Sequence, residues 1–477
     1  MDYSISSIMD TFHLANKRGL INSDLIKTIG QELKDNGKDY DYFSEIRELN
    51  KKKKQAKKEK NEYEVEDINT EINKLQSNLD NKVLEYFENC LHKIETDSNF
   101  NIKIESRELS GKVIYTLEKR LDILVLMMLL NKDLRRCYKV YPTDRMAILR
   151  PLKYLLQDKQ RNIILRLDIK SFFESISFDT LLNKFEDDQL LYNESLFLLN
   201  KINDSYRSVS ENNTGIPRGI GCSPYLAEIF MKDIDNKIKE FEGVFFYQRY
   251  VDDIIILAHS NDDKYPGQLF EYVKEIMQEH GLDIHDPDEK DKTRIIDTRK
   301  DSISFDYLGY HIEKNGCNVE YTISDNKISL YEERISSAVS RFLTNIKQNK
   351  RKTLRYLLLE LRMLTSNYNL VGNKSGIMSG IFYKYPLLTN TSQLEYLDTY
   401  LKSEINKITA EKIPEHIGDF GHIKFTKEEC AKYIRRRCLK YSFVTGYKHL
   451  KRSRISSEDF KIYKHRLRYE NKTDKDK

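Results

Sequence analysis

Two apolar segments that end at aspartates constrain the fold of this chain more than any other feature. The segment 162–168 (NIILRLD) is typical of a buried strand that ends in an acid, Asp168. The segment 244–258 contains two apolar runs that meet at Asp252 and Asp253, which predicts a hairpin with both acids at its turn. If the strand and the hairpin pair in one sheet, the three carboxylates converge on one point.

The segments around these acids predict a mixed α+β layer. Residues 224–241 begin with a proline and place five apolar side chains on one helical face: Leu226, Ile229, Phe230, Ile234 and Ile238. A further helix is predicted over 269–280. A strand, a helix, a hairpin and a second helix in this order are typical of an α+β fold.

The three acids themselves point to metal chemistry. A carboxylate beside so much hydrocarbon is costly unless it is neutralised. Carboxylates without His or Cys suit hard divalent cations such as Mg²⁺, which also bind substrate phosphates. Two such ions about 4 Å apart would activate an attacking hydroxyl and hold the leaving phosphate oxygen. An ordinary Asp-Asp turn beside a strand-ending Asp is the alternative.

Length and composition set broader bounds. With 477 residues the chain is too long for one core, and its 18 glycines and 8 prolines favour long, mostly helical elements. The apolar run 123–130 is too short to span a membrane and predicts a buried core helix. The six cysteines form no Cys-x-x-Cys pair and the N-terminus has no secretory pattern, so we expect reduced thiols in a cytoplasmic protein without membrane contact. His280, Asp283 and His285 are interpreted as a solvated loop rather than a metal cluster.

Charge and periodicity distinguish the two ends of the chain. The net charge is only +5, yet residues 422–477 contain 18 Lys or Arg against 7 Asp or Glu. This basic tail predicts either contact with phosphate backbones or a solvated helical face. Near the N-terminus, a lysine run at 51–54 precedes four apolar residues on one helical stripe, which predicts a helical hairpin or coiled-coil element: Ile68, Ile72, Leu75 and Leu79.

Six segments resemble, in the same order, the sequence motifs of reverse transcriptases. They are a fingers motif at 144–148 (DRMAI), motif A at 166–176 (RLDIKSFFESI), motif B at 215–224 (GIPRGIGCSP), motif C at 250–253 (YVDD), motif D at 292–293 (KT) and motif E at 307–310 (YLGY). The resemblance implies a right-hand polymerase, with fingers and palm on an antiparallel sheet. It predicts a helical N-terminal arm over 1–100, fingers and palm over 101–325, and a helical thumb-like region with the basic tail over 326–477.

The resemblance also implies an activity and a metal site. The activity is RNA-directed DNA synthesis from dNTPs with two Mg²⁺ ions, for which Mn²⁺ can substitute. Asp168 and Asp252 are then the main ligands of both ions, and Asp253 and Ile169 complete the set. RNA, the DNA product and dNTPs are the expected partners.

The same resemblance assigns five further residues to the dNTP: Arg145, Phe173, Arg218, Gly219 and Lys292. Arg145 would donate to the β- and γ-phosphates, as a guanidinium fork does well, although an exposed ion pair is the alternative. Phe173 would exclude a 2′-hydroxyl by packing against the sugar, unless it is a core residue. Gly219 would let the backbone approach the nascent base pair. Lys292 would donate a proton to pyrophosphate or is a plain surface lysine.

Arg218 stands where templated reverse transcriptases usually have Gln, and this departure refines the expectation. Arg at this position is typical of bacterial defence-associated and abortive-infection reverse transcriptases. We therefore expect an antiviral enzyme that acts with a non-coding RNA, a partner protein or as a homo-oligomer, and whose synthesis is either RNA-directed or atypical and untemplated. A retron or group II-like enzyme that copies a dedicated RNA is one alternative. A non-catalytic RNA-binding scaffold with a polymerase fold is the other.

Overall fold

The structure is a computed structural model of the chain. The residues it describes are 3–21, 25, 34–35, 38–39, 42–96, 100–109, 111–158, 160, 162–210, 214–287, 289, 292–298, 302–347, 350–371, 378–414, 426–450, 452–456, 458–464 and 466. They divide into two compact units. The first contains Met1–Thr143, Leu167–Ala258 and Asp262–Thr293, and the second contains Asp144–Arg166, His259–Asn261 and Arg294–Lys477. The predicted boundaries at 100 and 325 stay predictions.

The secondary structure confirms the expected α+β class. The helices are α1 (Ile5–Lys17), α2 (Tyr42–Lys58), α3 (Glu62–Glu95), α4 (Leu121–Tyr138), α5 (Arg145–Leu155), α6 (Phe172–Ser175), α7 (Phe178–Asp188), α8 (Asn193–Val209), α9 (Ser223–Lys239), α10 (Tyr265–Glu279), α11 (Asp325–Asn345), α12 (Lys350–Thr365), α13 (Ile381–Lys384), α14 (Ser392–Asn406), α15 (Lys427–Cys438) and α16 (Phe443–Lys448), with a 3₁₀ turn at Ala410–Lys412. The strands are β1 (Lys34–Asp35), β2 (Lys38–Asp39), β3 (Ile104–Leu109), β4 (Lys112–Leu117), β5 (Ile163–Asp168), β6 (Val244–Tyr250), β7 (Asp253–Ala258), β8 (Arg294–Asp297), β9 (Ser302–Tyr307), β10 (Tyr310–Asn315), β11 (Asn318–Ile323), β12 (Asn367–Val371), β13 (Met378–Ser379) and β14 (Arg452–Ser456).

Helices α2 and α3 form the predicted helical hairpin at the N-terminal end of the first unit. The apolar stripe of α3 packs on α2, where Leu49, Ile68 and Ile72 are buried together. The run 123–130 lies in α4, whose apolar residues are almost all buried. Both elements follow the helical periodicity of the sequence.

The central elements of the first unit place the acids. β6 and β7 form an antiparallel hairpin in which Tyr250 pairs with Asp253, so Val251 and Asp252 make the turn. Helix α9 has Pro224 in its first turn and buries the predicted face, except that Phe230 is only half-buried. Strands β3 and β4 form a second antiparallel hairpin. The hairpin predicted at the acids is confirmed.

In the second unit, an antiparallel sheet of order β11-β10-β9 and the helices from α11 onward surround buried aromatic rings. Residues 452–456 of the basic tail form β14, which pairs in parallel with β12. Ile455 and Tyr463 are buried in one cluster with Leu359 and Tyr368. A solvated helical face is therefore the wrong description for this part of the tail, because its apolar residues complete a core. Residues 422–425 and 467–477 of the tail lie outside the described residues.

Candidate active site

Asp168 and Asp252 come together because β5 ends beside the turn of the β6–β7 hairpin. The backbone N–H of Ile169 donates to the carbonyl oxygen of Asp252 at 3.1 Å. Asp168, Ile169 and Asp252 line one cavity of about 550 Å³. Asp253 begins β7 and is not among the described residues that line this cavity. The structure thus brings two of the three predicted acids to a common space.

Two basic side chains approach the Asp168 carboxylate. The Lys292 ammonium donates to Asp168 Oδ2 at 2.7 Å, and His285 Nε2 lies 3.5 Å from the same oxygen. The hydrogen bond to Asp168 raises the pKa of Lys292, so this lysine is cationic at neutral pH. Burial, and after it the charge of Asp168, raises the pKa of Asp252. The two carboxylates therefore repel each other in a half-buried place where positive charge stabilises both.

His285 belongs to this site, and the sequence interpretation of a solvated loop was wrong for it. Ile169 forms a β-bridge with Ile284, and the His285 N–H donates to the carbonyl oxygen of Asp168 at 3.1 Å. This short pairing carries the imidazole to the acid. The other nitrogen of the His285 ring, Nδ1, contacts the Glu289 carboxylate. The pKa of Glu289 falls to about 2, first because Lys170 donates to its carboxylate and then because His285 contacts it. No local pattern in the sequence reveals a pairing between segments more than a hundred residues apart.

The residues around Asp168 suit a divalent cation with hard oxygen ligands. The Asp168 and Asp252 carboxylates and the Ile169 carbonyl are such donors, and Asp168 is only 6% exposed. Within the part of the chain that the structure describes, no group of three or more His, Cys, Asp or Glu side chains could hold an ion by itself. Mg²⁺ commonly binds through one or two carboxylates and takes its other ligands from water and substrate phosphates. Two carboxylates on an open cavity fit that requirement.

Phe173 and Arg218 contact each other, but only Arg218 lines the cavity, since Phe173 is not among its described lining residues. The Arg218 guanidinium lies over the Phe173 ring, 5.1 Å from its centroid, and the ring meets Phe172 edge-on. Arg218 also forms an ion pair with Glu174, and both of these side chains line the cavity. The sequence did not indicate a role for Glu174, because nothing in the pattern around it distinguishes this glutamate from an ordinary surface acid.

Gly219 is required by a close approach of two backbone segments. Its φ is +105°, and a Cβ atom there would lie 2.8 Å from the carbonyl oxygen of Tyr115 in β4. The Tyr115 N–H donates to the Arg218 carbonyl oxygen at 2.7 Å. The 215–224 segment therefore packs on the β3–β4 hairpin, and contact of Gly219 with a base pair stays a prediction.

Arg145 lies in the second unit, at the start of α5. Its guanidinium donates to the carbonyl oxygen of Leu308 at 3.3 Å and to that of Lys384. It also lies over the rings of Tyr310 and Tyr385, at 5.5 and 5.9 Å from their centroids. These contacts fix the side chain within its own unit, and its predicted role toward the triphosphate stays a prediction.

Comparison with known proteins agrees with the sequence motifs. Residues 119–312 match the family model described as reverse transcriptase (RNA-dependent DNA polymerase). The matched range contains Asp168, Asp252 and the residues around them. The chain therefore contains a reverse transcriptase domain, and the enzyme class of this domain is RNA-directed DNA polymerase, a nucleotidyltransferase. The expected polymerase-like fold of mixed helices and antiparallel sheets is confirmed.

Among solved structures, the chain is similar to three telomerase structures from two organisms. Telomerase from Candida albicans, in complex with the TWJ fragment of telomeric RNA, is 14% identical with a TM-score of 0.33, over 77% of this chain and 64% of that one. Truncated apo telomerase from Candida tropicalis is 14% identical with a TM-score of 0.32, over 46% and 55%. Apo telomerase from the same organism is 12% identical with a TM-score of 0.34, over 64% and 65%. This chain thus spans less than two thirds of each telomerase chain.

No helix among the described residues has both the length and the apolar composition needed to cross a membrane.

Proposed function

We propose that this protein synthesises DNA from dNTPs by transferring a nucleotidyl group to a primer hydroxyl, with RNA as template. The observation that carries the proposal is that Asp168 and Asp252 line one cavity inside the matched domain. A buried carboxylate (Asp168) beside a half-buried one (Asp252) is costly unless positive charge neutralises them, and a structural role alone does not require this arrangement.

The site residues have distinct tasks in this proposal. Divalent cations held by Asp168, Asp252 and the Ile169 carbonyl would activate the attacking hydroxyl and neutralise the leaving phosphate oxygens. Lys292, whose ammonium donates to Asp168, would give a proton to the leaving pyrophosphate. Phe173 would exclude ribose by occupying the space of a 2′-hydroxyl. Mg²⁺ is the cation we propose, and Mn²⁺ shares its preference for carboxylate and water ligands.

We further propose that the protein acts in bacterial antiviral defence, in the cytoplasm. The support is the resemblance to defence-associated and abortive-infection reverse transcriptases, with Arg218 in place of Gln. A bound non-coding RNA, a partner protein or a homo-oligomer would complete the active form.

Incorporation of labelled dNTPs by the purified protein tests the activity. We expect Mg²⁺-dependent incorporation that requires added or co-purified RNA. DNA products that match one co-purified RNA would favour the retron or group II-like alternative. RNA binding with no incorporation under any metal or template condition would contradict the proposal and favour a non-catalytic scaffold.

A further inference from the structure

Val251 occupies a strained position at the turn that presents Asp252. It is the first of the two turn residues between β6 and β7, and its φ is +60°. Two-residue hairpin turns favour Gly, Asn or Asp where φ is positive, and a β-branched residue is an outlier there. The left-handed conformation disfavours such a residue by roughly 5- to 30-fold in population. The direction of Asp252 therefore depends on whatever holds this turn.

Arg249 holds the turn through a hydrogen bond to its backbone. Its Nη1 donates to the carbonyl oxygen of Val251 at 3.1 Å, and the residue is only 4% exposed. That carbonyl belongs to the peptide group that joins Val251 to Asp252. The hydrogen bond consequently fixes the plane from which Asp252 projects.

The Arg249 guanidinium is itself fixed by two carboxylates on α9. Nε and Nη2 donate to Asp235 Oδ1 and Oδ2, both at 3.0 Å. Nη1 and Nη2 donate to Glu228 Oε1 and Oε2 at 3.2 and 2.8 Å. Glu228 and Asp235 lie two helical turns apart on one face, and the Tyr247 hydroxyl donates to Asp235 at 2.6 Å. A guanidinium held on both sides has little freedom to move away from the turn.

We propose that Arg249 is a positioning residue that holds the strained Val251 turn and thereby directs Asp252 toward the cation. This inference rests on the proposed function, since it assigns Asp252 to the metal site. The competing view is that Arg249 only neutralises two half-buried acids and stabilises the fold.

A double-mutant cycle separates these two roles. Arg249→Lys keeps the positive charge, but a single ammonium cannot serve both carboxylates and the Val251 carbonyl at once. Val251→Gly removes the need for support, because glycine adopts positive φ without strain. We expect Arg249→Lys to lower kcat for dNTP incorporation about tenfold in the wild-type background and less than threefold in the Val251→Gly background.

The second readout does not use activity. The electron paramagnetic resonance signal of free Mn²⁺ measures the Mn²⁺ affinity of the full-length protein without nucleotide. Arg249→Lys should weaken this affinity about tenfold in the wild-type background. In the Val251→Gly background, Arg249→Lys should weaken the Mn²⁺ affinity much less. Thermal unfolding of all four proteins measures the stability cost separately. Where Arg249→Lys does not fold, Glu228→Gln replaces Arg249→Lys in the same cycle. This substitution weakens the contacts that hold the guanidinium but keeps Arg249 itself.

Equal losses of kcat and of Mn²⁺ affinity in both backgrounds would overturn the inference, since a purely stabilising role is indifferent to residue 251. Wild-type protein that incorporates no dNTP overturns the proposed function instead. Active wild-type protein without coupling in the cycle overturns only the role of Arg249.

Discussion

Arg218 and Glu174 form a bidentate ion pair, with Nε 3.0 Å from Oε1 and Nη2 2.9 Å from Oε2. The side chain that departs from the usual Gln of templated enzymes is thus paired with the residue that follows Phe173. Burial alone would raise the pKa of Glu174. The pKa is nevertheless lowered, because Arg218 donates hydrogen bonds to the Glu174 carboxylate.

The first prediction concerns the strength of this pair. We expect the cycle of Glu174→Gln, Arg218→Gln and the double variant to give a coupling of about 1 kcal/mol in the free energy of unfolding at pH 7. A lowered carboxyl pKa contributes stability that is lost as the pH falls through it. Urea unfolding at several pH values measures the coupling, which should shrink on acidification. A coupling that is zero at pH 7 would contradict the role of the pair.

The second prediction concerns selection of the sugar by Phe173. A ribose would overlap the ring and bury a hydroxyl without a partner, which costs about 1 to 3 kcal/mol, or roughly 5- to 150-fold in rate. Phe173→Ala should therefore raise the ratio of rNTP to dNTP incorporation by at least that factor. Phe178→Leu, a change in a buried ring that is not among the described residues lining the cavity, is the control. An unchanged ratio in Phe173→Ala would make Phe173 a core residue.

The third prediction concerns the charge of Asp252. Its pKa is raised, first by burial and also by Asp168. A raised carboxyl pKa means that ionisation costs stability, and this cost appears as the pH rises through the folded-state value. Without divalent cations, Asp252→Asn should melt at a higher temperature than wild type at pH 7, with a smaller difference near pH 4. A lower melting temperature at pH 7 would show that the acid is not repelled.

The fourth prediction concerns the basic C-terminal region. Ile455 completes a core, so truncation of the chain before it would unfold this region. Charge-removing substitutions on α15 and just after this helix are therefore the proper test. Replacing Lys432, Arg436 and Lys440 by Gln should reduce the log–log slope of nucleic-acid affinity against salt by about 0.7 to 0.9 for each phosphate that the variant no longer binds. The matched control replaces Lys51, Lys52 and Lys54 on α2. Equal slopes for wild type and the α15 variant would make these residues a solvated face.

Local patterns predicted the elements that carry the acids, and tertiary contacts decided the rest. The apolar runs around Asp252 predicted the hairpin, and the periodicity after Pro224 predicted α9. His285 was misjudged because a β-bridge between Ile169 and Ile284 brings it to the site. Arg249 gave no signal either, since its importance comes from acids on α9 and from the φ of Val251. Such contacts join residues that are distant in sequence, which periodicity cannot detect.

The central claim is that Asp252 and its neighbours catalyse DNA synthesis. The most direct measurement is Mg²⁺-dependent incorporation of labelled dNTPs by wild type and by the Asp252→Ala/Asp253→Ala variant, each purified with its RNA. We predict that incorporation falls below detection in the variant while its far-ultraviolet circular dichroism and melting temperature are retained, because removing half-buried acids relieves repulsion. Incorporation at the wild-type rate by the folded variant would contradict the account.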